Sequence, residues 1–168
     1  MNIKFFTESC QSRSSKKRFG LCDDPHLLQN PAYLDEIEGA KWIAVVENKR
    51  RYEIIFTAID NCVEIKRTDG KMEKRCDGSL TYEKTIIFIE LKQRRTVGNS
   101  WIKDAEIQLK STISKFEETE LSDNYTQKKA YICNSERPIF RAGQMERMEQ
   151  FYEETGYVLR IEARIRIE

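Results

Sequence analysis

The sequence predicts a mixed α/β fold in which helices pack on a β-sheet. Residues 85–92 form the most apolar stretch, and their four consecutive large hydrophobic side chains indicate a central strand buried on both faces. Residues 101–118 carry apolar side chains at spacings of three and four, which is the pattern of a helix with one buried side. Apolar and charged residues alternate from 159 to 168, as in a half-buried strand.

Shorter patterns predict the other elements. A helix is expected over residues 31–38, because Pro31 suits the first helical position and Gly39 suits the position just past the end. Residues 7–24 are polar and are expected to form a loop or an irregular lid. The remaining predicted elements are strands over 42–46, 52–59, 62–66 and 129–134 and a helix over 143–155.

The composition describes a single globular domain over residues 1–168. Hydrophobic residues make up 39% of the chain and charged residues 34%, which is typical of a folded protein with a core. No apolar run approaches the length of a membrane span, and the N-terminus lacks the apolar core of a signal peptide, so a cytoplasmic location without membrane contact is expected. The five cysteines are widely spaced without a Cys-x-x-Cys pair, which favours reduced thiols over a zinc site or a disulfide framework.

Histidine content and charge narrow the possible chemistry. His26 is the single histidine, which argues against paired-histidine nucleases, His-ligated zinc proteases and Ser-His-Asp hydrolases. The net charge of +1 provides no global attraction to nucleic acid. Basic residues do cluster locally, in runs that are as often solvated loops as binding surfaces. Any catalysis must therefore rest on carboxylates, a lysine and a metal ion.

The tripeptide Glu90-Leu91-Lys92 stands at the end of the predicted central strand. Because side chains alternate along a strand, Glu90 and Lys92 emerge on the same face. Glutamate and lysine are rarely buried, so the pair either marks where the strand reaches water or belongs to a functional site. A second Glu-x-Lys pair, Glu64 and Lys66, lies on a less apolar strand and is the weaker candidate.

Asp77 lies thirteen positions before Glu90, just ahead of an expected hairpin return over residues 79–84. The hairpin would bring the two carboxylates together, and a hard divalent cation is the usual way to relieve their repulsion. Taken alone, the Asp-Gly dipeptide is equally well an ordinary turn. Gln108 lies on the flank of the apolar helix stripe, where it either points across the sheet or is solvated.

Together these residues resemble the PD-(D/E)XK, or restriction-endonuclease-like, nuclease superfamily. The residues that carry the resemblance are Asp77, Glu90, Lys92 and Gln108. The resemblance covers about residues 31–134 and implies an αβββαβ core with a mixed central sheet flanked by helices, followed by a C-terminal helix–strand extension over 135–168. The proline that usually precedes the aspartate is Cys76 here, which leaves the carboxylate chemistry intact.

The resemblance implies metal-assisted hydrolysis of phosphodiester bonds, usually in DNA. Asp77 and Glu90 would hold Mg²⁺ or Mn²⁺ with the help of the backbone carbonyl of Leu91. Lys92 would orient or help deprotonate the attacking water and stabilise the charge that develops on the phosphate. Gln108 would complete the catalytic set.

Two further groups of residues belong to the implied site. The family often adds an acid from the first helix, for which Glu38 and Glu36 are the candidates, and helical spacing prefers Glu38. Basic residues would lie along the phosphate backbone. Those expected to contact nucleic acid are Arg94 and Arg95, which closely follow the motif lysine, and Lys49, Arg50 and Arg51.

The leading functional hypothesis is a Mg²⁺- or Mn²⁺-dependent endonuclease that acts on DNA rather than RNA. A domain of this size cuts one strand, so double-strand cleavage predicts a homodimer, with the alternating C-terminal strand as a candidate dimer edge. The alternative is a non-catalytic nuclease-fold module that binds nucleic acid or a protein partner, which the near-neutral net charge favours. A partner-bound subunit with an immunity or assembly role is a third hypothesis. Calorimetry of metal binding to the wild type and to Asp77→Ala separates the enzyme from the binding module.

Overall fold

Two mixed β-sheets and two α-helices form the fold across residues 3–24, 29–93, 100–136 and 143–168, the parts of the chain that this computed structural model describes. The strands are β1 (Gln11–Ser14), β2 (Arg18–Cys22), β3 (Tyr33–Asp35), β4 (Ala44–Glu47), β5 (Ile54–Ala58), β6 (Gly78–Tyr82), β7 (Thr85–Lys92), β8 (Gln127–Asn134), β9 (Val158–Ile161) and β10 (Arg164–Arg166). The helices are α1 (Ser100–Glu117) and α2 (Met145–Thr155). No helix in these segments is both long and apolar enough to cross a membrane.

The central sheet has the strand order β1-β5-β6-β7-β8-β9, and the second sheet has the order β10-β4-β2-β3. Strands β5, β6 and β7 form an antiparallel meander. Helix α1 then crosses over to β8, which lies parallel to β7, and α2 leads to β9, which lies parallel to β8. The strands predicted over 52–59, 85–92 and 129–134 and the two later helices are therefore confirmed, with small shifts at their ends.

The central sheet lies between the two helices and the second sheet. Phe88 of β7 packs on the helix side, where its ring centroid is 5.2 Å from that of Phe116 on α1. Ile87 of the same strand packs on the other side with Val46 and Ile165 from the second sheet. Both faces of β7 are thus covered, as its run of apolar residues predicts.

Two predictions in the N-terminal third are wrong. Residues 31–38 form no helix: β3 pairs with β2 there and is followed by a 3-10 turn at Gly39–Lys41. The segment 7–24, expected to be a loop, contains β1 and β2. The local signals at Pro31 and Gly39 are weak compared with the backbone pairing that an edge strand gains from its neighbour in the sheet.

The strands predicted over residues 42–46 and 52–59 do form, but they belong to different sheets. The strand at β4 pairs with β2 and β10 in the second sheet, whereas β5 belongs to the central sheet. Residues 62–66 form no strand and contribute only an isolated bridge between Lys66 and Met72. The alternating C-terminal segment keeps its predicted burial pattern but divides into β9 and β10, which join different sheets.

A disulfide joins Cys10 and Cys62, so the expectation of reduced thiols is wrong for these two residues. Cys22, Cys76 and Cys133 are free and buried. The bond links the short 3-10 turn before β1 to the turn that follows β5. These segments are 52 positions apart in the sequence, so spacing alone could not reveal the pair.

Reduction of this disulfide is expected to destabilise the protein. Loop-closure entropy for a separation of 52 residues corresponds to about 4 kcal/mol of unfolding free energy, with about 2–4 kcal/mol typically realised. Urea denaturation with and without dithiothreitol, repeated on Cys10→Ser/Cys62→Ser, measures the loss. The double variant should match the reduced wild type and be insensitive to dithiothreitol. Equal stability of the oxidised wild type and the double variant would show that the bond contributes nothing.

Candidate metal centre

The β6–β7 hairpin places Asp77 opposite Glu90. Asp77 immediately precedes β6, and Glu90 lies near the end of β7. The antiparallel register pairs Gly78 with Ile89, so one step further along both strands Asp77 faces Glu90. The Asp77 N–H donates to Glu90 Oε1 at 3.1 Å, and the Leu91 N–H donates to Asp77 Oδ2 at 2.7 Å. The predicted convergence of the two carboxylates across 13 positions is confirmed.

The backbone around Asp77 is fixed from two sides. Gly78 is buried and begins β6, and a Cβ atom at this position would overlap the ring of Phe56 on β5. On the other side, the Cys76 N–H donates to Thr112 Oγ1 on α1 at 2.8 Å. The Asp-Gly dipeptide is therefore not an ordinary surface turn, and its glycine allows the close approach of two strands.

Lys92 and Gln108 join the carboxylates on the same face. Lys92 Nζ lies 3.1 Å from Glu90 Oε2 and donates to Gln108 Oε1 at 3.1 Å. The Gln108 amide in turn donates to the backbone carbonyl of Arg75 at 3.5 Å, so it ties the lysine to the segment that leads into Asp77. Gln108 points across the sheet from α1, which was one of its two predicted orientations.

Burial dominates the electrostatics of the pair. Asp77 is 8% exposed and Glu90 2%, and the Lys92 side chain is 11% exposed. Burial, followed by the nearby Glu90 charge, holds the pKa of Asp77 well above its usual range. Burial also raises the pKa of Glu90, although the Lys92 ammonium opposes this shift. Because the two buried carboxylates lie close together and repel each other, the neutral form of Asp77 is favoured.

The donor atoms fit Mg²⁺ or Mn²⁺. Both prefer oxygen ligands, and Mg²⁺ commonly takes one or two carboxylates while water or phosphate fills the remaining positions. Leu91 directs its N–H towards Asp77, and because the N–H and C=O of an extended residue point to the same side, its carbonyl faces the pair as well. Within the described residues, no group of three or more His, Cys, Asp and Glu side chains is placed to hold a metal, so the pair would supply two side-chain ligands.

Asp23 is a third acid that the sequence did not reveal. It directly follows β2 of the second sheet. Its charge contributes to the raised pKa of Asp77, and its own pKa is raised by burial and by Asp60, while Lys92 lowers it. The Asp23 charge is thus felt at Asp77, but within the described residues Asp23 does not complete a three-acid metal cluster with the pair. The residue was missed because segment 7–24 was predicted to be a loop; knowing that a strand ends at Cys22 would have shown it.

The first-helix acids do not reach the pair in the described structure. Glu38 precedes the 3-10 turn after β3, is exposed, and lies 3.9 Å from Lys41. Glu36 accepts a hydrogen bond from Ser14 at 2.6 Å. Both assignments relied on a helix over 31–38, and a strand at the edge of the second sheet directs these side chains elsewhere.

The basic runs lie in different places. Arg94 and Arg95 fall outside the described residues. Residues 49–51 connect β4 to the start of β5, whereas the end of β5 pairs with the start of β6 beside Asp77. The second run is therefore at the opposite end of the central sheet from the carboxylates, and its predicted contact with nucleic acid stays a prediction.

An open pocket of about 410 Å³ lies beside Lys92 and Gln108, and the acids Asp60, Glu73 and Asp104 also line it. The two buried carboxylates of the pair do not line this pocket themselves. A larger depression of about 1120 Å³ lies elsewhere, between the N-terminal segment and the end of α1. The smaller pocket is the relevant one because it exposes the lysine that contacts Glu90. The decoy pair Glu64 and Lys66 forms an exposed ion pair at 2.7 Å and borders neither cavity.

Comparisons of the chain with protein-family models, with the curated proteins and with the solved structures found no match. The case for a functional site therefore rests on the geometry of Asp77, Glu90, Lys92 and Gln108.

The raised pKa values predict a specific pH dependence of stability. In the unfolded state the pKa of such a carboxyl group is about 4, and in the folded state it is higher. The group therefore stabilises the fold fully below about pH 4, and this stabilisation is lost as pH rises from about 4 through the folded-state pKa. Without divalent cations, the wild type should therefore lose stability from about pH 4 upwards relative to Asp77→Asn. Urea denaturation of both proteins over this range is the measurement. A constant difference across pH would contradict a raised pKa of Asp77.

Proposed function

We propose that the protein is a Mg²⁺- or Mn²⁺-dependent nuclease that hydrolyses phosphodiester bonds of DNA. The observation that carries the proposal is the buried Asp77–Glu90 pair at the end of the central strand, with Lys92 Nζ 3.1 Å from Glu90 Oε2. Burying two carboxylates that repel each other lowers the stability of the fold. Acids with strongly shifted pKa values are concentrated at functional sites, which supports a functional role for this pair.

The topology supports a restriction-endonuclease-like core. Three antiparallel strands, β5 to β7, are followed by α1 and by β8 parallel to β7, which is the strand–strand–strand–helix–strand part of that core. The first helix of the core is not found in the described residues before β5, where the second sheet packs on the central sheet instead. The proposal thus concerns a nuclease core with an altered N-terminal layer.

Each residue has a defined role in the proposal. Asp77, Glu90 and the Leu91 carbonyl hold the cation, which supplies Lewis acidity and a more acidic water when it is bound. Lys92 is held by Glu90 and Gln108 through two of its three N–H donors. The third donor can orient water or stabilise negative charge on a phosphate oxygen. Gln108 is a positioning residue, because it contacts the lysine and the Arg75 carbonyl.

Cleavage assays test the proposal. Plasmid, branched DNA and RNA are incubated with Mg²⁺ or Mn²⁺ and either wild type, Asp77→Ala or the matched control Lys66→Ala, which alters the exposed decoy pair. The expected result is metal-dependent cleavage of DNA by the wild type and the control, and no cleavage by Asp77→Ala. Equal inactivity of all three proteins on every substrate would contradict the enzyme.

A non-catalytic binding module is the second candidate, and one observation favours it. Both Glu90 oxygens and Asp77 Oδ2 already have partners within the protein, so the pair is internally satisfied. If the arrangement is only structural, calorimetry should show the same Mg²⁺ and Mn²⁺ binding, or none, for the wild type and for Asp77→Ala.

Assembly and location stay predictions. A homodimer is proposed because one such centre cuts one strand, and β9 offers an edge of the central sheet. A cytoplasmic location is part of the same proposal. The Cys10–Cys62 disulfide counts against it, because disulfides persist mainly in oxidising compartments.

A further inference from the structure

The fold brings two basic turns together at the end of the central sheet that is remote from the carboxylate pair. The Asn48 N–H donates to the Lys17 carbonyl at 2.7 Å, and Arg18 lies opposite Glu47 in the β2–β4 ladder. The two turns lie far apart in the sequence and become neighbours only through this pairing. Together they form a surface that we call the distal basic patch, which consists of Lys16, Lys17, Arg18, Lys49, Arg50 and Arg51.

The charges of the patch are available to a partner. All six side chains belong to exposed residues, and among the described residues none of them forms an ion pair. Many other cations of the protein are paired, such as Lys66 with Glu64 and Lys110 with Glu154. Because the net charge of the chain is only +1, six unpaired cations on two adjoining turns concentrate positive potential at one place.

Hydrogen bonds of the Asn48 side chain order the second turn. The buried Asn48 side chain accepts from the Tyr52 N–H at 3.1 Å and donates to the Tyr52 carbonyl at 2.9 Å, which closes the turn. Arg51 has a φ of 53°, a left-handed conformation that non-glycine residues seldom adopt. A fixed turn that presents basic side chains loses little conformational entropy on binding.

The patch cannot contact the same phosphate as Lys92. Strand β5 begins beside the patch and ends level with Asp77, so at about 3.3 Å per residue the two regions are about 17 Å apart. That distance corresponds to about five phosphates along one DNA strand at 3.4 Å each. A duplex or a stretched single strand can reach both regions, whereas a mononucleotide cannot.

We propose that the distal basic patch binds the phosphodiester backbone of nucleic acid at a second contact, separate from the candidate metal centre. The proposal extends the proposed function by requiring a polymeric substrate. It rests on that function only for the cleavage at the candidate metal centre, and binding at the patch does not depend on it. An anionic membrane is the less favoured partner, because the exposed large apolar side chains of the described chain lie at other positions, at Ile37, Met72, Ile107, Met145 and Tyr152.

The test measures binding without cleavage. A fluorescein-labelled DNA duplex of about 20 base pairs is titrated in EDTA, by anisotropy, at several salt concentrations. The proteins are wild type, Lys49→Glu/Arg50→Glu, Lys16→Glu/Lys17→Glu and the matched control Lys71→Glu/Lys103→Glu, which makes the same charge change at exposed positions elsewhere. Circular dichroism melts confirm that each variant is folded, and a milder Lys16→Gln/Lys49→Gln variant replaces any that is not.

Both patch variants should bind DNA at least about tenfold more weakly than the wild type. The slope of log K against log salt concentration should fall in magnitude by about two, one for each lost phosphate contact. The control should bind nearly as well as the wild type. Equal losses in the control and the patch variants, or no loss in the patch variants, would overturn the proposal. So would tighter binding to phosphatidylserine-containing vesicles than to DNA. The binding test contains no divalent metal and is therefore independent of the cleavage assays. If the patch variants lose affinity for DNA but the wild type cleaves no substrate with Mg²⁺ or Mn²⁺, the proposed nuclease activity is contradicted and the proposed patch is not.

Discussion

Replacing Lys92 with alanine should lower the rate of DNA cleavage about 10²- to 10⁴-fold, the range typical of removing a group that assists proton transfer. The ammonium group is held by Glu90 and Gln108, so the variant loses a positioned positive charge. Its removal also takes away a positive charge that lies 3.1 Å from Glu90, so affinity for Mg²⁺ should be kept or increased. Steady-state cleavage and calorimetry on the same preparation measure the two effects.

The truncation has a structural cost that must be controlled. Removing one partner of a buried ion pair commonly costs about 3–5 kcal/mol, because the other charge stays buried. The assays are therefore done in saturating Mg²⁺, which would compensate Glu90, and are repeated with Lys92→Gln, which keeps most of the side-chain volume. Cleavage at the wild-type rate by folded Lys92→Ala would exclude the proposed role of the lysine.

Asp77→Asn is expected to abolish stabilisation by Mg²⁺ and Mn²⁺. A ligand at about 100 times its dissociation constant stabilises the folded state by about 2.7 kcal/mol. The wild type should gain this amount, whereas Asn lacks the negative charge and leaves a single carboxylate for the cation. Urea denaturation with and without metal measures the gain. The exposed variant Glu64→Gln, which removes an acid from the decoy pair, should behave like the wild type.

The same experiment has a second readout. Without metal at neutral pH, Asp77→Asn should be at least as stable as the wild type, because burial and the Glu90 charge hold the pKa of Asp77 high and make its ionised form unfavourable. If Asp77→Asn is less stable than the wild type without metal, and if metal stabilises both proteins by the same amount, Asp77 has only a structural role.

Local patterns were sufficient to predict the carboxylate pair. The apolar run of β7 fixes its central place, the alternation along a strand puts Glu90 and Lys92 on one face, and a short return brings Asp77 into register. Gln108 follows from the helical stripe of α1. All of these relations lie within one hairpin and the helix that follows it, where spacing in the sequence translates directly into spacing in the structure.

The N-terminal layer could not be predicted in the same way. Its strands are short, and β2 is ordered by pairing with β3 and β4, which no local periodicity encodes. For the same reason the sequence suggested neither Asp23 as the third acid nor the joining of the two basic turns. The Cys10–Cys62 disulfide also links segments that only the tertiary fold brings together.

A crystal soaked in Mn²⁺ tests the central claim most directly. Anomalous density should appear between the carboxylates of Asp77 and Glu90, close to the carbonyl of Leu91, and should be missing from crystals of Asp77→Asn soaked in the same way. Density elsewhere with none at this pair would contradict a metal centre at the end of the central strand.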